Sequence, residues 1–157
     1  MDATTIYVAN GAANSITEYP ISVASETGTI APTPSVTISG AGTGLNVPIG
    51  ITADSAKIYV TNFGANTITE YPLAASGNAT PSVTISSNAL SGPEGIAIDS
   101  NTIYVVNISN KTVAEYPLNA SGTSTPSASL NLPASVQGIL RRAHASDPNR
   151  YPDADGY

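Results

Sequence analysis

A five-residue motif, Ile58-Tyr59-Val60-Thr61-Asn62, decides the fold of this 157-residue chain because it occurs three times. The motif appears 52 residues earlier as Ile6-Tyr7-Val8-Ala9-Asn10 and 45 residues later as Ile103-Tyr104-Val105-Val106-Asn107. Ile, Tyr and Val are residue types that favour β-strands. A strand motif that returns at this spacing indicates a repeat protein.

Three further landmarks keep the same order around each copy of the motif. They are Glu-Tyr-Pro at 18–20, 70–72 and 115–117, Pro-Ser-Val-Thr-Ile at 34–38 and 81–85 with a looser copy at 126–130, and Gly-Ile at 50–51, 95–96 and 138–139. Four landmarks in constant order show that the repeat is real.

Each repeat predicts four strands. Strand a covers 49–53 or 95–98, strand b is the motif, strand c covers 67–71, and strand d covers 82–85. The Asn- and Gly-containing segment 62–66 is typical of a hairpin turn that requires positive φ. Four-stranded units of roughly 40–50 residues are typical of propeller blades. The sequence therefore predicts an all-β fold, a β-propeller segment of three four-stranded antiparallel blades.

Two of the repeated segments resemble a known family. Tyr59-Val60-Thr61-Asn62 matches the YVTN signature, and Gly95-Ile96-Ala97-Ile98-Asp99 followed by Ile103-Tyr104-Val105 resembles the NHL repeat. The resemblance covers residues 1 to about 140 and implies a bacterial or archaeal exported or surface protein, extracellular or periplasmic. It specifies fold more than function, because propellers serve many unrelated purposes.

The repeats divide the chain in two. Residues 1–140 hold the repeat landmarks at 6–38, 49–85 and 95–130, and we expect an extra strand at 136–140. Residues 141–157, which contain all three arginines and His144, are expected to be an irregular tail. A shifted reading frame, which would make the tail non-native, and a genuine solvated tail both remain open. Three blades do not close a ring, so we expect either an incomplete fragment of a larger propeller or a homodimer of six blades.

Composition excludes several function classes. The formal net charge of −6 argues against nucleic-acid binding, and the absence of cysteine excludes disulfides and thiolate chemistry. No apolar run approaches the ~20 residues of a membrane span, and we expect no signal peptide in the first residues, which have neither a basic region nor an apolar core.

The repeated polar residues have structural and functional interpretations. The aspartates after strand a either accept backbone N–H bonds in a turn or form a carboxylate ring that binds Ca²⁺, and the repeated asparagines share these alternatives. These residues are Asp2, Asp54, Asp99, Asn10, Asn62 and Asn107. Alternation along strand c predicts that Glu18, Glu70 and Glu115 face solvent. We expect the strand b tyrosines, Tyr7, Tyr59 and Tyr104, to pack between blades. The strand c tyrosines, Tyr19, Tyr71 and Tyr116, either pack in the same way, which we favour, or stack on a ligand such as a sugar.

No convergent catalytic set is apparent, so the leading interpretation is a non-enzymatic module that binds a protein or glycan and needs no cofactor. One alternative is an incomplete gene fragment without independent function. The other is a metal-dependent hydrolase that resembles six-bladed sugar lactonases, which hold a divalent metal with Glu, Asn and Asp ligands. That resemblance implies Glu94, Asp99 and Asn107 as metal ligands, with Ca²⁺ as a candidate ion.

Overall fold

The computed structural model describes residues 5–21 and 33–133, which form strands joined by turns. Tail residues 141–157, the predicted strand 136–140, Asp2 and His144 lie outside the described residues. These two ranges contain twelve strands, and their bounds in chain order are β1 (Thr5–Asn10), β2 (Ser15–Pro20), β3 (Val36–Ser39), β4 (Pro48–Ala53), β5 (Lys57–Asn62), β6 (Thr67–Pro72), β7 (Val83–Ser86), β8 (Pro93–Ile98), β9 (Thr102–Asn107), β10 (Thr112–Pro117), β11 (Gly122–Thr123) and β12 (Ala128–Asn131).

The strands form three sheets, and none of the three closes on itself. The first sheet has the order β1-β2-β3, the second β11-β7-β6-β5-β4, and the third β12-β10-β9-β8. The all-β prediction is confirmed, and the predicted strands a to d agree with the observed strands to within two residues. The predicted hairpin turn is also present, since Asn66 adopts a φ of 53° just before β6.

The prediction of four strands in every sheet needs correction, because the sheets contain three, five and four strands. Among the described residues the first sheet contains only β1, β2 and β3, which correspond to strands b, c and d. The second sheet gains β11, which follows β10 in the chain but pairs in parallel with β7. The predicted antiparallel order thus holds within each repeat, and the parallel contact joins one repeat to the next. Gly77 makes the corresponding parallel bridge to Ile38 of the first sheet.

Two apolar cores lie between successive sheets. The back face of a sheet is the face turned towards the next sheet along the chain, and the front face is the opposite one; in the third sheet the front face is the one turned towards the second sheet. The first core joins the back of the first sheet, including Ile16 and Ile38, to Ile58, Val60 and Tyr71 on the front of the second. The second core joins Tyr59, Ile68 and Ile85 to Ile103, Val105 and Tyr116 of the third sheet. Alternating side chains make this possible, since neighbouring residues of a strand point to opposite faces.

The inner strands β4 and β8 come into direct contact at Gly50. The Gly50 amide donates to Thr61 Oγ1 at 2.8 Å, and the same hydroxyl donates to the Glu94 carbonyl oxygen at 2.8 Å. A Cβ atom at Gly50 would clash with that carbonyl oxygen. In the second sheet, the glycine of the repeated Gly-Ile landmark is therefore explained by the backbone of the third sheet, which approaches Gly50 too closely for a side chain.

Candidate functional site

A cleft of about 490 Å³ opens between the second and third sheets, beside the turns that connect β4 to β5 and β8 to β9. The second sheet contributes an acid, a base and a phenol, whereas the third contributes mostly neutral polar groups. The lining residues are Asp54, Lys57, Tyr59, Ser100, Asn101, Leu118 and Asn119. This volume lies in the range of small-molecule sites.

Asp54 is held in place by the turn that follows β4. Its Oδ1 atom accepts hydrogen bonds from the amides of Ala56 at 2.7 Å and Lys57 at 2.8 Å, and its Oδ2 accepts from the Tyr59 hydroxyl at 2.9 Å. This is the local bonding by which Asp stabilises turns. The structural interpretation of the repeated aspartates is therefore observed at Asp54.

Lys57 brings a positive charge to the cleft and neutralises a buried carboxylate. Its Nζ lies 2.7 Å from Glu70 Oε2, and the Glu70 side chain is fully buried while Lys57 remains partly exposed. The other oxygen, Glu70 Oε1, is buried and has no hydrogen-bond partner among the residues that the structure describes. A buried carboxylate is costly without a partner, and the Lys57 ammonium is the partner that offsets part of this cost for Glu70.

The burial of Glu70 corrects the expectation that the strand c glutamates face solvent. Glu70 is opposite Tyr59 in the β5–β6 ladder, and both side chains point into the space between the second and third sheets. Glu18 is also buried, and Glu115 is half-buried. Side chains do alternate between the two faces along strand c. Because both faces of the second sheet are covered, this alternation does not distinguish buried from exposed residues.

In the cleft the pKa of the Asp54 carboxyl is lowered, whereas the pKa of the Tyr59 hydroxyl is raised. Burial raises the pKa of the Asp54 carboxyl, but hydrogen bonds from Ala56, Lys57 and Tyr59 outweigh it and hold the pKa below its usual range. Burial, reinforced by the hydrogen bond to Asp54, raises the pKa of the Tyr59 hydroxyl far above its usual value. At neutral pH the pair is therefore a carboxylate and a protonated phenol.

The predicted metal ligands are distributed along the third sheet. Pro93 pairs with Asn107 at one end of the β8–β9 ladder, so Glu94, the residue after Pro93, lies at the same end as Asn107. Asp99 follows the opposite end of β8, about 16 Å from Glu94 at ~3.3 Å per residue. Its Oδ1 accepts from the amides of Asn101 and Thr102, and its Oδ2 accepts from the Tyr104 hydroxyl.

A single ion therefore reaches at most Glu94 and Asn107 together, because Ca²⁺ ligands lie within about 2.3–2.6 Å of the ion. The Asn107 carboxamide is itself engaged, since Oδ1 accepts from the Ser91 amide at 3.1 Å and Nδ2 donates to Thr112 Oγ1 at 3.4 Å. Across residues 5–21 and 33–133, no three acidic, histidine or cysteine side chains lie together as a metal site. The ligand set stays a prediction.

The same described ranges contain no helix with the length and hydrophobicity needed to cross a membrane. The repeated tyrosines of strand c, Tyr71 and Tyr116, are fully buried in the two cores, so they pack between sheets as expected.

The arrangement of the sheets places this chain among propeller-like all-β folds. A solved structure titled "putative 6-phosphogluconolactonase", from Bacteroides uniformis ATCC 8492, matches with a TM-score of 0.59 and 16% identity over 86% of this chain and 42% of that chain. Glutaminyl cyclase from Myxococcus xanthus matches with a TM-score of 0.56 and 14% identity over 96% of this chain and 56% of that chain. The chain thus spans about half the length of these structures.

No family model and no curated protein matches the chain. The expectation of a non-enzymatic interaction module is contradicted, because both of these structural neighbours are named as enzymes. At these identities the likeness itself establishes the fold.

Proposed function

We propose that this chain forms part of a propeller enzyme that hydrolyses a lactone of a sugar acid. The observation that carries the proposal is the overlap of 86% of the chain with a structure named as a lactonase. In this proposal the three sheets are blades of an NHL- or YVTN-type propeller, as the repeated motifs indicate.

The cleft between the second and third sheets is the proposed substrate site. Its volume of about 490 Å³ is sufficient for a lactone of monosaccharide size. Amide and hydroxyl groups of Ser100, Asn101 and Asn119 suit the hydroxyl groups of a sugar acid, and Leu118 supplies an apolar wall. Lys57 is the only ammonium group that lines the cleft in the described part of the chain.

Lactone hydrolysis requires stabilisation of negative charge on the carbonyl oxygen. A water oxygen bonds to the carbonyl carbon, the ring C–O bond breaks, and the ring oxygen takes a proton while the water loses one. We assign the stabilisation of the developing oxyanion to the Lys57 ammonium, because a fixed positive charge in a partly dehydrated site acts strongly on developing charge. Glu70 positions this ammonium from behind, 2.7 Å away.

The test is the rate at which the full chain opens δ-gluconolactone and its 6-phosphate, measured by acid release above the spontaneous rate. Replacing Lys57 with Met alone would leave the Glu70 charge unpaired, so the informative variant combines Lys57→Met with Glu70→Gln. We expect this double variant to lose about 100-fold in kcat. The exposed Lys111→Met, which removes the same charge elsewhere, serves as the control.

A wild-type rate equal to the spontaneous rate would reject lactone hydrolysis by this chain. Catalysis that survives the folded double variant would place the reaction outside the cleft. The predicted metal set is tested in the same assay by a chelator, by added Ca²⁺ and by Glu94→Ala. Chelator-sensitive activity that Ca²⁺ restores in wild type but not in Glu94→Ala would support Glu94 as a ligand.

A further inference from the structure

The two cores of the molecule are built from the same parts. In each core the back face of one sheet supplies the tyrosine of strand b and the isoleucines of strands c and d. The front face of the next sheet supplies the isoleucine and the valine of strand b and the tyrosine of strand c. The front face of the first sheet carries the same repeat positions as the buried front faces of the second and third sheets. The back face of the third sheet likewise matches the buried back faces of the first and second. Neither of these two outer faces is covered by another sheet of the described chain.

The front face of the first sheet is defined here by Ile6, Val8 and Tyr19. Ile6 is 38% exposed and Val8 is 37% exposed, and Tyr19 is half-buried. The same positions in the second sheet, Ile58, Val60 and Tyr71, and in the third sheet, Ile103, Val105 and Tyr116, are fully buried. The first sheet thus exposes an apolar surface whose counterparts in the second and third sheets are buried.

The back face of the third sheet is defined by Tyr104, Val113 and Leu130. Leu130 is 63% exposed, and Tyr104 and Val113 are half-buried. Their counterparts in the second sheet, Tyr59, Ile68 and Ile85, are buried in the core against the third sheet. Exposed apolar groups clustered on one face mark an interaction surface.

We propose that the back face of the third sheet packs against the front face of the first sheet in a second copy of this chain. A reciprocal contact between the same two copies then joins six sheets. The inference rests on the propeller arrangement proposed above but not on lactone hydrolysis. One chain spans 42% and 56% of the two similar structures, so two copies approach the length of one of them.

Charge and shape favour this back-to-front contact over the two symmetrical ones. Back-to-back pairing would bring Glu115 of one copy towards Glu115 of the other, and like charges that face each other are unfavourable. Front-to-front pairing would leave Leu130 exposed in both copies. The back-to-front contact reproduces the cores that the chain already forms internally, in which one sheet's back covers the next sheet's front.

The experiment measures the solution mass of the full chain by light scattering coupled to size exclusion. We expect wild type to elute at twice the chain mass. Val8→Asp on the front face and Leu130→Asp on the back face should each give a single copy, because both joints contain Val8 of one copy and Leu130 of the other, so either substitution alters both joints. The exposed Thr84→Asp on β7 is the matched control and should retain the wild-type mass.

Circular dichroism verifies that each variant is folded, which we expect because Val8 and Leu130 are partly exposed already. Mixing the two variants adds a second criterion. Tagged Val8→Asp keeps an intact back face and untagged Leu130→Asp an intact front face, so the pair should form a heterodimer through one joint. A single-copy wild type, a variant that keeps the doubled mass, or a mixture without heterodimer would each overturn the proposal.

Discussion

The second and third sheets contain nearly the same local structure, yet they differ in what covers it. Tyr59 and Tyr104 occupy the same position of strand b, and each hydroxyl donates to the preceding aspartate at 2.9 Å. Tyr59 is 1% exposed beneath the third sheet, whereas Tyr104 stays half-buried on the uncovered back face.

This difference separates local bonding from burial. The Asp-Tyr hydrogen bond forms within one sheet and needs no neighbour, since it recurs unchanged on the uncovered face. Burial of the ring, and with it most of the hydrophobic stabilisation, is supplied by the next sheet. Repeat proteins show this division generally, because each unit contacts only its neighbours.

The largest expected effect comes from truncating the two tyrosines in a single-copy background, Val8→Asp. Tyr59→Ala should lower the free energy of unfolding by about 3–5 kcal/mol, because it empties a buried aromatic site. Tyr104→Ala should cost about 1 kcal/mol or less, because a largely uncovered ring loses few contacts. Urea denaturation followed by circular dichroism measures both, and equal losses would contradict the comparison.

A smaller effect is expected from the two glycines of the Gly-Ile landmark in the same background. Gly50→Ala should destabilise by about 1–3 kcal/mol, because the new Cβ meets the Glu94 carbonyl across the β4–β8 contact. Gly95→Ala should be tolerated, since a Cβ there makes only ordinary contact with Val106. Comparable denaturation midpoints for the two variants would show that β4 and β8 are not tightly apposed.

The smallest effect concerns the acid response of the two aspartates. The Asp54 pKa is lowered by hydrogen bonds that outweigh burial, and the hydrogen bond from the Asn101 amide, with others, lowers the pKa of Asp99. A carboxyl whose pKa is lower in the folded than in the unfolded protein stabilises the fold at pH values above its ordinary pKa of 3.8. This stabilisation is lost as the pH falls through the folded-state pKa. Stability should therefore decline below about pH 4.

Asp54→Asn and Asp99→Asn should each flatten that decline, and thermal unfolding between pH 6 and pH 3 provides the measurement. Because Asp99 is exposed, added salt should weaken its contribution more than that of Asp54. An acid response that neither substitution changes would show that other carboxyls control it.

The strand pattern was predictable from the sequence, whereas the contacts between sheets were not. The recurring Ile-Tyr-Val motif and the Gly-Asn turns are local signals, and they located strands a to d. The parallel pairing of β11 with β7 joins residues 37 positions apart in different repeats, and a two-residue strand gives no periodic signal.

The candidate site was recognised only in part. Asp54 and Tyr59 were identified as repeated positions, but the buried Glu70 was expected at the surface. One signal was available, since Lys57 stands where the other repeats have Thr5 and Thr102. A lysine unique to one repeat, thirteen residues before the glutamate, is a candidate cross-strand partner.

By itself, the sequence determined the repeat and the strands, because these depend on neighbours within a few residues or one hairpin. It left turn bonding and cation binding as alternatives for the repeated aspartates. The tertiary structure alone decided which copy of each repeated residue is buried, that Lys57 neutralises Glu70, and that a cleft opens beside Asp54. These features depend on which sheet covers which face, and identical local sequences leave that choice to the packing of one repeat on the next.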